Sequence, residues 1–335
     1  MSKGGPIRMK AIKIVAIILA GLYSPYFTYA QKPLHDFVVA QDGSGDFKSV
    51  QEAINAVPDF RKTTTTIFIK NGIYKEKLTL ATSKTNVSFV GEERMKTILT
   101  YDDYASKKNR FGEEIGTTGS SSFYVFADDF SAANITFENS SGPVGQAVAV
   151  RISGDRVKFN NCRFLGFQDT LYPQGEKSRQ YYKDCYIEGT VDFIFGWSTA
   201  VFDNCSIFCK KAGYVTAAST LETTPYGFVF MNCKITGDAP INSFHLGRPW
   251  RPHAKTVFIN CFLDKHIKPE GWHNWSKPDA EKTAYYAEYK STGPGANNSA
   301  RVGWSHQLTD EEVKYYTIEK ILGDWKVNLG DWKVN

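Results

Sequence analysis

Asn161-Cys162-Arg163-Phe164, Asp184-Cys185-Tyr186-Ile187, Asn204-Cys205-Ser206-Ile207, Asn232-Cys233-Lys234-Ile235 and Asn260-Cys261-Phe262-Leu263 repeat one pattern. A polar turn former precedes a cysteine, and a variable residue and a large apolar residue follow. Asn134-Ile135-Thr136-Phe137 and Asn86-Val87-Ser88-Phe89 fit the same frame without the cysteine. The cysteines return every 20 to 28 residues, and self-similarity at such a period marks a solenoid. Alternating apolar residues make each unit a strand, which the Asn or Asp opens from a turn. No helical segment separates the cysteine-bearing units, so a coil of parallel strands fits better than a helix-and-strand horseshoe. The fold expected is all-β: a right-handed parallel β-helix. Cys162, Cys185, Cys205, Cys233 and Cys261 then point inward as a ladder of small apolar side chains. Six cysteines in an exported chain would ordinarily suggest disulfides, but this spacing reads as packing. Cys209 falls outside the ladder.

Upstream of the coils, Asp42-Gly43-Ser44-Gly45-Asp46 is a turn cluster, with too few carboxylates for a calcium loop. In the following segment Val50, Ala53, Ile54 and Val57 share a helical face. Ser49 with Glu52 forms a capping box and Pro58 marks the stop. A short helix here would plug the open end of the solenoid. Thr63 to Lys70 and Tyr74 to Leu80 read as early strands around a turn at Asn71-Gly72, and residues 101–120 as a protruding polar loop. After Cys261 the chain becomes irregular and aromatic through Gly271-Trp272-His273-Asn274-Trp275. A helix is expected after Thr309 as its N-cap. Leu322 to Asn328 recurs verbatim as residues 329–335, a duplicated tail.

Residues 1–30 have the make-up of a secretory leader, with a basic start, an apolar run from Ile14 to Leu22 and a loose cleavage site at Thr28-Tyr29-Ala30. That run is too short to cross a bilayer. Four of the 40 basic residues fall within residues 1–30, which leaves 36 against 35 acidic ones. The basic pI therefore argues for neither a nucleic-acid nor a membrane partner. The chain is expected to be exported to the periplasm or the medium, with residues 31–328 as one domain and no inhibitory pro-domain ahead of it. It is expected to act as a monomer.

Several chemistries lack their residues. The six histidines show no HExxH spacing and there is no CxxC pair, so no metal site is expected. No glycine-rich loop joins a strand to a helix, and no Gly-x-Ser-x-Gly elbow occurs, so no cofactor is expected. What remains is a pair of aspartates. Asp169 lies seven residues after Cys162, and Asp192 seven after Cys185. Equivalent positions on adjacent coils would bring them to about 5 Å, the inter-strand spacing. Two carboxylates so close cannot both ionise freely, and a nearby cation decides which one does. The result is one nucleophile and one acid/base. The spacing alone also fits turn aspartates that only cap amides, and it fits a retaining glycosidase.

Gly166-Phe167-Gln168-Asp169-Thr170-Leu171-Tyr172, Gly189-Thr190-Val191-Asp192-Phe193-Ile194-Phe195-Gly196 and Leu246-Gly247-Arg248-Pro249-Trp250 closely resemble the signatures of pectin methylesterases. So do Gly72-Ile73-Tyr74-Lys75-Glu76, Gly145-Gln146-Ala147-Val148-Ala149 and the stretch from Tyr285 to Ala296. The resemblance runs from about residue 37 to about residue 328, and it implies the β-helix inferred from the cysteines. It also implies an aspartyl esterase that removes methyl groups from pectin, the methyl-esterified galacturonan. Asp192 would be the nucleophile, and Asp169 the acid that protonates methanol and then the base that activates water. Gln146, with Gln168 close by, would stabilise the oxyanion, and Arg248 would pair with Asp192 and keep it ionised. Trp250 and Phe193 would line the sugar groove, and Thr117 would touch substrate. Phe167 replaces a common Tyr, and Trp197 stands where plant members tend to have Asn. The competing expectations are a β-helical pectate lyase or polygalacturonase, and a β-helix that binds carbohydrate without catalysis.

Overall fold

The computed structural model describes residues 1–5 and 35–327. The leader and the duplicated tail fall largely or wholly outside the described residues. Strands dominate, and every ladder between the named strands is parallel. They form three sheets of eleven, seven and eight strands, in each of which successive neighbours come from successive coils. One coil illustrates the cycle. Val157–Asn160 lies in the eleven-stranded sheet, Arg163–Leu165 in the eight-stranded sheet and Leu171–Pro173 in the seven-stranded sheet. The chain then rejoins the first sheet at Arg179–Lys183. This is the parallel β-helix expected from the repeat.

The turn between the first two strands of a coil explains the polar residue ahead of each cysteine. Asn86, Asn134, Asn161, Asp184, Asn204, Asn232 and Asn260 all have φ between 49° and 58°. In this left-handed region Asn and Asp are tolerated where β-branched residues are not. Their side chains also stack between coils. Asn161 Nδ2 donates to Asn134 Oδ1 at 2.7 Å, and Asn204 Nδ2 to Asp184 Oδ1 at 2.5 Å.

The next residue turns inward. All six cysteines are buried and free. In the ladder each thiol faces a carbonyl of the preceding coil: Cys205 Sγ reaches Tyr182 O at 3.5 Å and Cys233 Sγ reaches Phe202 O at 3.2 Å. Burial pushes the thiols from Cys162 to Cys233 well above their ordinary value, so they stay protonated apolar groups. Cys209 is also fully buried, at the far end of Ser206–Cys209, where it pairs with Gly189 and Gly237. A second interior ladder is aromatic. Phe159, Tyr182, Phe202, Phe230 and Phe258 occupy one register and stack with centroid separations of 5.2, 4.6, 4.5 and 4.5 Å. The register is thus reinforced by side chains of one kind, thiol on thiol and ring on ring, meeting at each turn.

The helix Val50–Ala56 covers the first coils with Val50, Ala53 and Ile54 buried, and its Ser49–Glu52 capping box is formed. Glu76 adds a second cap, accepting from the Val50 and Gln51 amides at 2.9 and 3.0 Å. The turn expected at Asn71-Gly72 lies one residue earlier, at Lys70-Asn71, so that Gly72 already opens the strand Gly72–Lys75, and Leu78–Leu80 is a separate strand. The helix expected after Thr309 is a single 3-10 turn, Glu312–Tyr315, which Thr309 does cap, and a five-residue helix follows at Ile318–Leu322. Among the described residues no helix is long and apolar enough to cross a membrane, and no cluster of side chains could hold a metal.

Candidate active site

The turn that leads into the seven-stranded sheet carries the aspartates. Leu171 pairs with Ile194, so Asp169 and Asp192, each two residues earlier, are also in register. The Asp169 amide donates to Val191 O at 3.1 Å, and the Leu171 amide to Phe193 O at 2.8 Å. Both aspartates have positive φ, 66° and 53°, and both are nearly buried, at 4% and 6% exposure.

Arg248 comes from the turn after Phe244–Gly247, two coils further on. Its Nε and Nη2 donate to the two carboxylate oxygens of Asp192 at 2.8 and 2.7 Å. Two rings hold the guanidinium in this pose: Tyr214 lies 3.9 Å and Trp275 3.6 Å from Cζ to ring centroid. Among the described residues Asp169 has no such ion pair. The Gln146 side chain stands against its carboxyl, and Gln146 pairs with Gln168 across an isolated parallel bridge.

These surroundings set the two carboxyls apart. Burial pushes Asp169 well above the usual carboxylate range. The negative charge of Asp192 pushes it further, and Gln146 and Arg248 offset only part of the rise. Burial also raises Asp192, while the hydrogen bonds and charge of Arg248 pull it back. The expectation was that Arg248 keeps Asp192 ionised while only Asp169 is raised. Desolvation outweighs the guanidinium, so both carboxyls are raised and they differ in extent.

The pair opens into a cleft of about 470 Å³ lined by Gln146, Gln168, Asp169, Asp192, Arg248 and Trp250, and by Thr117 from the loop expected to protrude. That loop folds back over the coil. Ala105 N donates to Gln146 O at 2.8 Å, and Asn139 Nδ2 bonds the carbonyls of Asp103, Ser120 and Val148. The short helix Gly116–Gly119 on the loop presents Thr117 and Thr118 to the cleft.

The family model for pectinesterases matches residues 36–324. The chain belongs to the pectinesterase family. It is 45% identical over 286 residues to Pectinesterase 31 of Arabidopsis thaliana, covering 83% of this chain and 89% of that one. It spans 52% of another Arabidopsis relative, a probable pectinesterase/pectinesterase inhibitor. Its fold superposes on the pectin methylesterase from carrot with a TM-score of 0.79 at 35% identity, over 86% of this chain and 93% of that one. A pectin methylesterase solved in complex with a hexasaccharide gives a TM-score of 0.78 at 33% identity, over 88% and 99% of the two chains.

One residue expected in this pectinesterase cleft is elsewhere. Phe193 is fully buried in the main core, edge-on to Phe244 at 6.1 Å. The left-handed turn at Asp192 resets the strand alternation, so Phe193 and Ile194 both face inward. Gly189 leaves the room: a Cβ there would sit 2.2 Å from that of Phe193. Phe195 takes the place in the cleft, stacked on Tyr172 with centroids 4.1 Å apart. Trp197, Trp250 and Trp275 pack around these two rings, and Trp250 and Trp275 line the cleft with them. Tyr172 and Phe195 lie inside the quoted signatures, and their outward phase on the seven-stranded sheet was the available signal. Trp275 and Tyr214 reach Arg248 only through the coiling of the chain, and no local pattern announces them.

Proposed function

We propose that this chain hydrolyses the methyl esters of galacturonan through an acyl-enzyme formed on Asp192. The observation that carries the reading is the bidentate hold of Arg248 on Asp192 beside an Asp169 that has no ion pair among the described residues. A carboxylate locked by a guanidinium has a fixed attack direction, and its charge survives at a pH where its neighbour still holds a proton.

Asp192 attacks the ester carbonyl. The tetrahedral oxyanion develops beside Gln146, with Gln168 in the same wall, and each such donor contributes roughly 10²–10³ in rate. Asp169 gives its proton to departing methanol. It then takes a proton from water as the hydroxide attacks the Asp192 anhydride, which regenerates both groups. Trp250, Phe195 and Tyr172 offer apolar faces to the sugar rings, and Thr117 offers a hydroxyl. The hexasaccharide complex of a relative supports a polymeric substrate lying along the cleft. We further read residues 1–30 as an export leader, which would place the enzyme with cell-wall polymer, and the remaining chain as one monomeric domain.

The test is methanol release from methylated pectin, with Asp192→Ala as control. Release by the wild type and its loss in a folded variant support the reading. No methanol from a folded wild type overturns it, and unsaturated or new reducing ends would indicate a lyase or a polygalacturonase.

A further inference from the structure

The guanidinium that grips Asp192 is itself held by two rings, and one side chain outside the cleft contacts the supports of both. Tyr214, the first of these rings, sits in the strand Gly213–Ala218, a regular member of the seven-stranded sheet. His245 backs it from the next strand, stacked at 5.1 Å with the planes 7° apart. Trp275, the second ring, has no strand under it and comes from a turn. Trp275 and Ser276 both have positive φ, 59° and 55°. Residues with a side chain keep that conformation where their surroundings impose it.

Two consecutive side chains impose it here. His273 Nδ1 accepts the Trp275 amide at 3.1 Å, and Asn274 Oδ1 accepts the Ser276 amide at 2.9 Å. Asn274 is anchored in turn, donating from Nδ2 to Glu281 at 2.7 Å. The amide of His273 donates to Gly247 O at 3.1 Å, immediately before Arg248 in the chain. Its ring also meets the other support, at 5.7 Å from Tyr214 and 5.3 Å from His245. His273 thus ties the backbone beside Arg248, the Tyr214 stack and the Trp275 turn together.

An Asn carbonyl commonly closes such a turn two residues on, whereas an imidazole does so only while Nδ1 carries no proton. The surroundings favour that form: burial, then the charges of Arg248 and Lys268, lower His273 from its ordinary value. His273 lines a hollow of about 380 Å³ that shares no wall residue with the cleft. Tyr214, His245, Lys268, Glu270 and Glu281 are the other titratable groups of that hollow. We infer that His273 is a positioning residue for the reaction: by fixing the Trp275 turn, it keeps Arg248 in the pose that grips both oxygens of Asp192. This role rests on the esterase reading of the cleft.

The experiment measures kcat and KM for methanol release, and the pH dependence of kcat/KM, for wild type, His273→Phe and His273→Asn. Phenylalanine keeps a ring against Tyr214 but no acceptor, and asparagine keeps an acceptor for the Trp275 amide but no ring. His273→Phe is expected to lower kcat about tenfold with KM within about twofold of wild type, because a slightly misplaced group costs rate. Its acid limb should move to higher pH, since a loosened Arg248 offsets less of the burial that raises Asp192. His273→Asn should keep kcat within about threefold of wild type and leave the limb in place, as its carbonyl closes the same turn. His273→Ala, which also lacks the acceptor, gives the same reading if His273→Phe does not fold. An unchanged kcat, a loss confined to KM, an acid limb that does not move, or an asparagine variant no better than phenylalanine overturns the inference. Absence of methanol with folded wild type would instead overturn the esterase reading.

Discussion

Arg248 grips both oxygens of Asp192, at 2.8 and 2.7 Å, from a position two coils away in the same sheet. Both side chains are largely buried, so their interaction is little screened and the loss of either leaves a charge in a poor dielectric. Arg248→Gln is expected to cost about 3–5 kcal/mol, the usual penalty for breaking a buried pair from one side. Asp192→Asn combined with Arg248→Gln should regain much of that stability while releasing no methanol. Denaturant unfolding of the two variants checks the first part. Equal stability of the single and double variants would mean that Asp192 does not depend on this guanidinium for its compensation.

The raised carboxyl of Asp169 has a consequence for stability as well as for rate. Its proton is held more tightly in the folded protein than in the unfolded chain, where the ordinary value is 3.8. The native state therefore carries the extra proton, and its stability declines as pH rises above that value until Asp169 ionises in the fold. Asp169→Asn removes this slope. The variant should be inactive, and its thermal midpoint should exceed that of the wild type at neutral pH but not near pH 3. Asp192, raised less, contributes a slope of the same sign that remains in the variant. A wild-type midpoint that rises from pH 4 to neutrality, and that Asp169→Asn does not alter, would contradict the assignment.

Much of this architecture could be read from the chain because a solenoid repeats its instructions. An Asn or Asp in the left-handed turn and a cysteine behind it recur at each coil. Each copy sets the register of the next, so two aspartates at one offset from two cysteines had to meet. Arg248, Gln146 and Trp250 became legible only through resemblance, since their distance in sequence hides their proximity. Phe193 misled because side-chain alternation fails at a residue with positive φ, and Asp192 is such a residue. Tyr214 and Trp275, which sandwich Arg248, belong to different coils and carry no spacing signal.

The cysteine ladder makes a prediction about reactivity. A thiol reagent attacks the thiolate; burial raises the thiols of Cys162, Cys185, Cys205 and Cys233 and shields all six cysteines from the reagent. The folded protein should therefore show no fast-reacting thiol among its six cysteines, even at mildly alkaline pH. Reaction should follow denaturant-induced unfolding in a single step, because the five ladder positions share one interior. A thiol that reacts well before global unfolding would place part of the ladder in a separately opening segment, and Cys209, outside the ladder, would be the first to examine.

Phe193 and Phe195 separate packing from recognition within three residues. Phe193 fills the main core, fully buried against Phe244 above the space that Gly189 leaves. Phe193→Ala should cost about 3–5 kcal/mol, as large aromatic truncations in cores do, and the folded fraction should keep a KM close to that of the wild type. Phe195 stacks on Tyr172 at the cleft wall. Phe195→Ala gives up the aromatic pair, worth about 0.5–1.5 kcal/mol beyond its buried area, together with part of the apolar face offered to the sugar. Its KM should rise several-fold while its stability falls less than that of Phe193→Ala. Steady-state methanol release and denaturant unfolding on the two variants decide the matter, and the reverse pattern would return Phe193 to the groove. The contrast follows from one backbone angle. Because Asp192 adopts a left-handed conformation at the edge of the cleft, the residue beside it turns inward, and the wall of the cleft begins at Phe195.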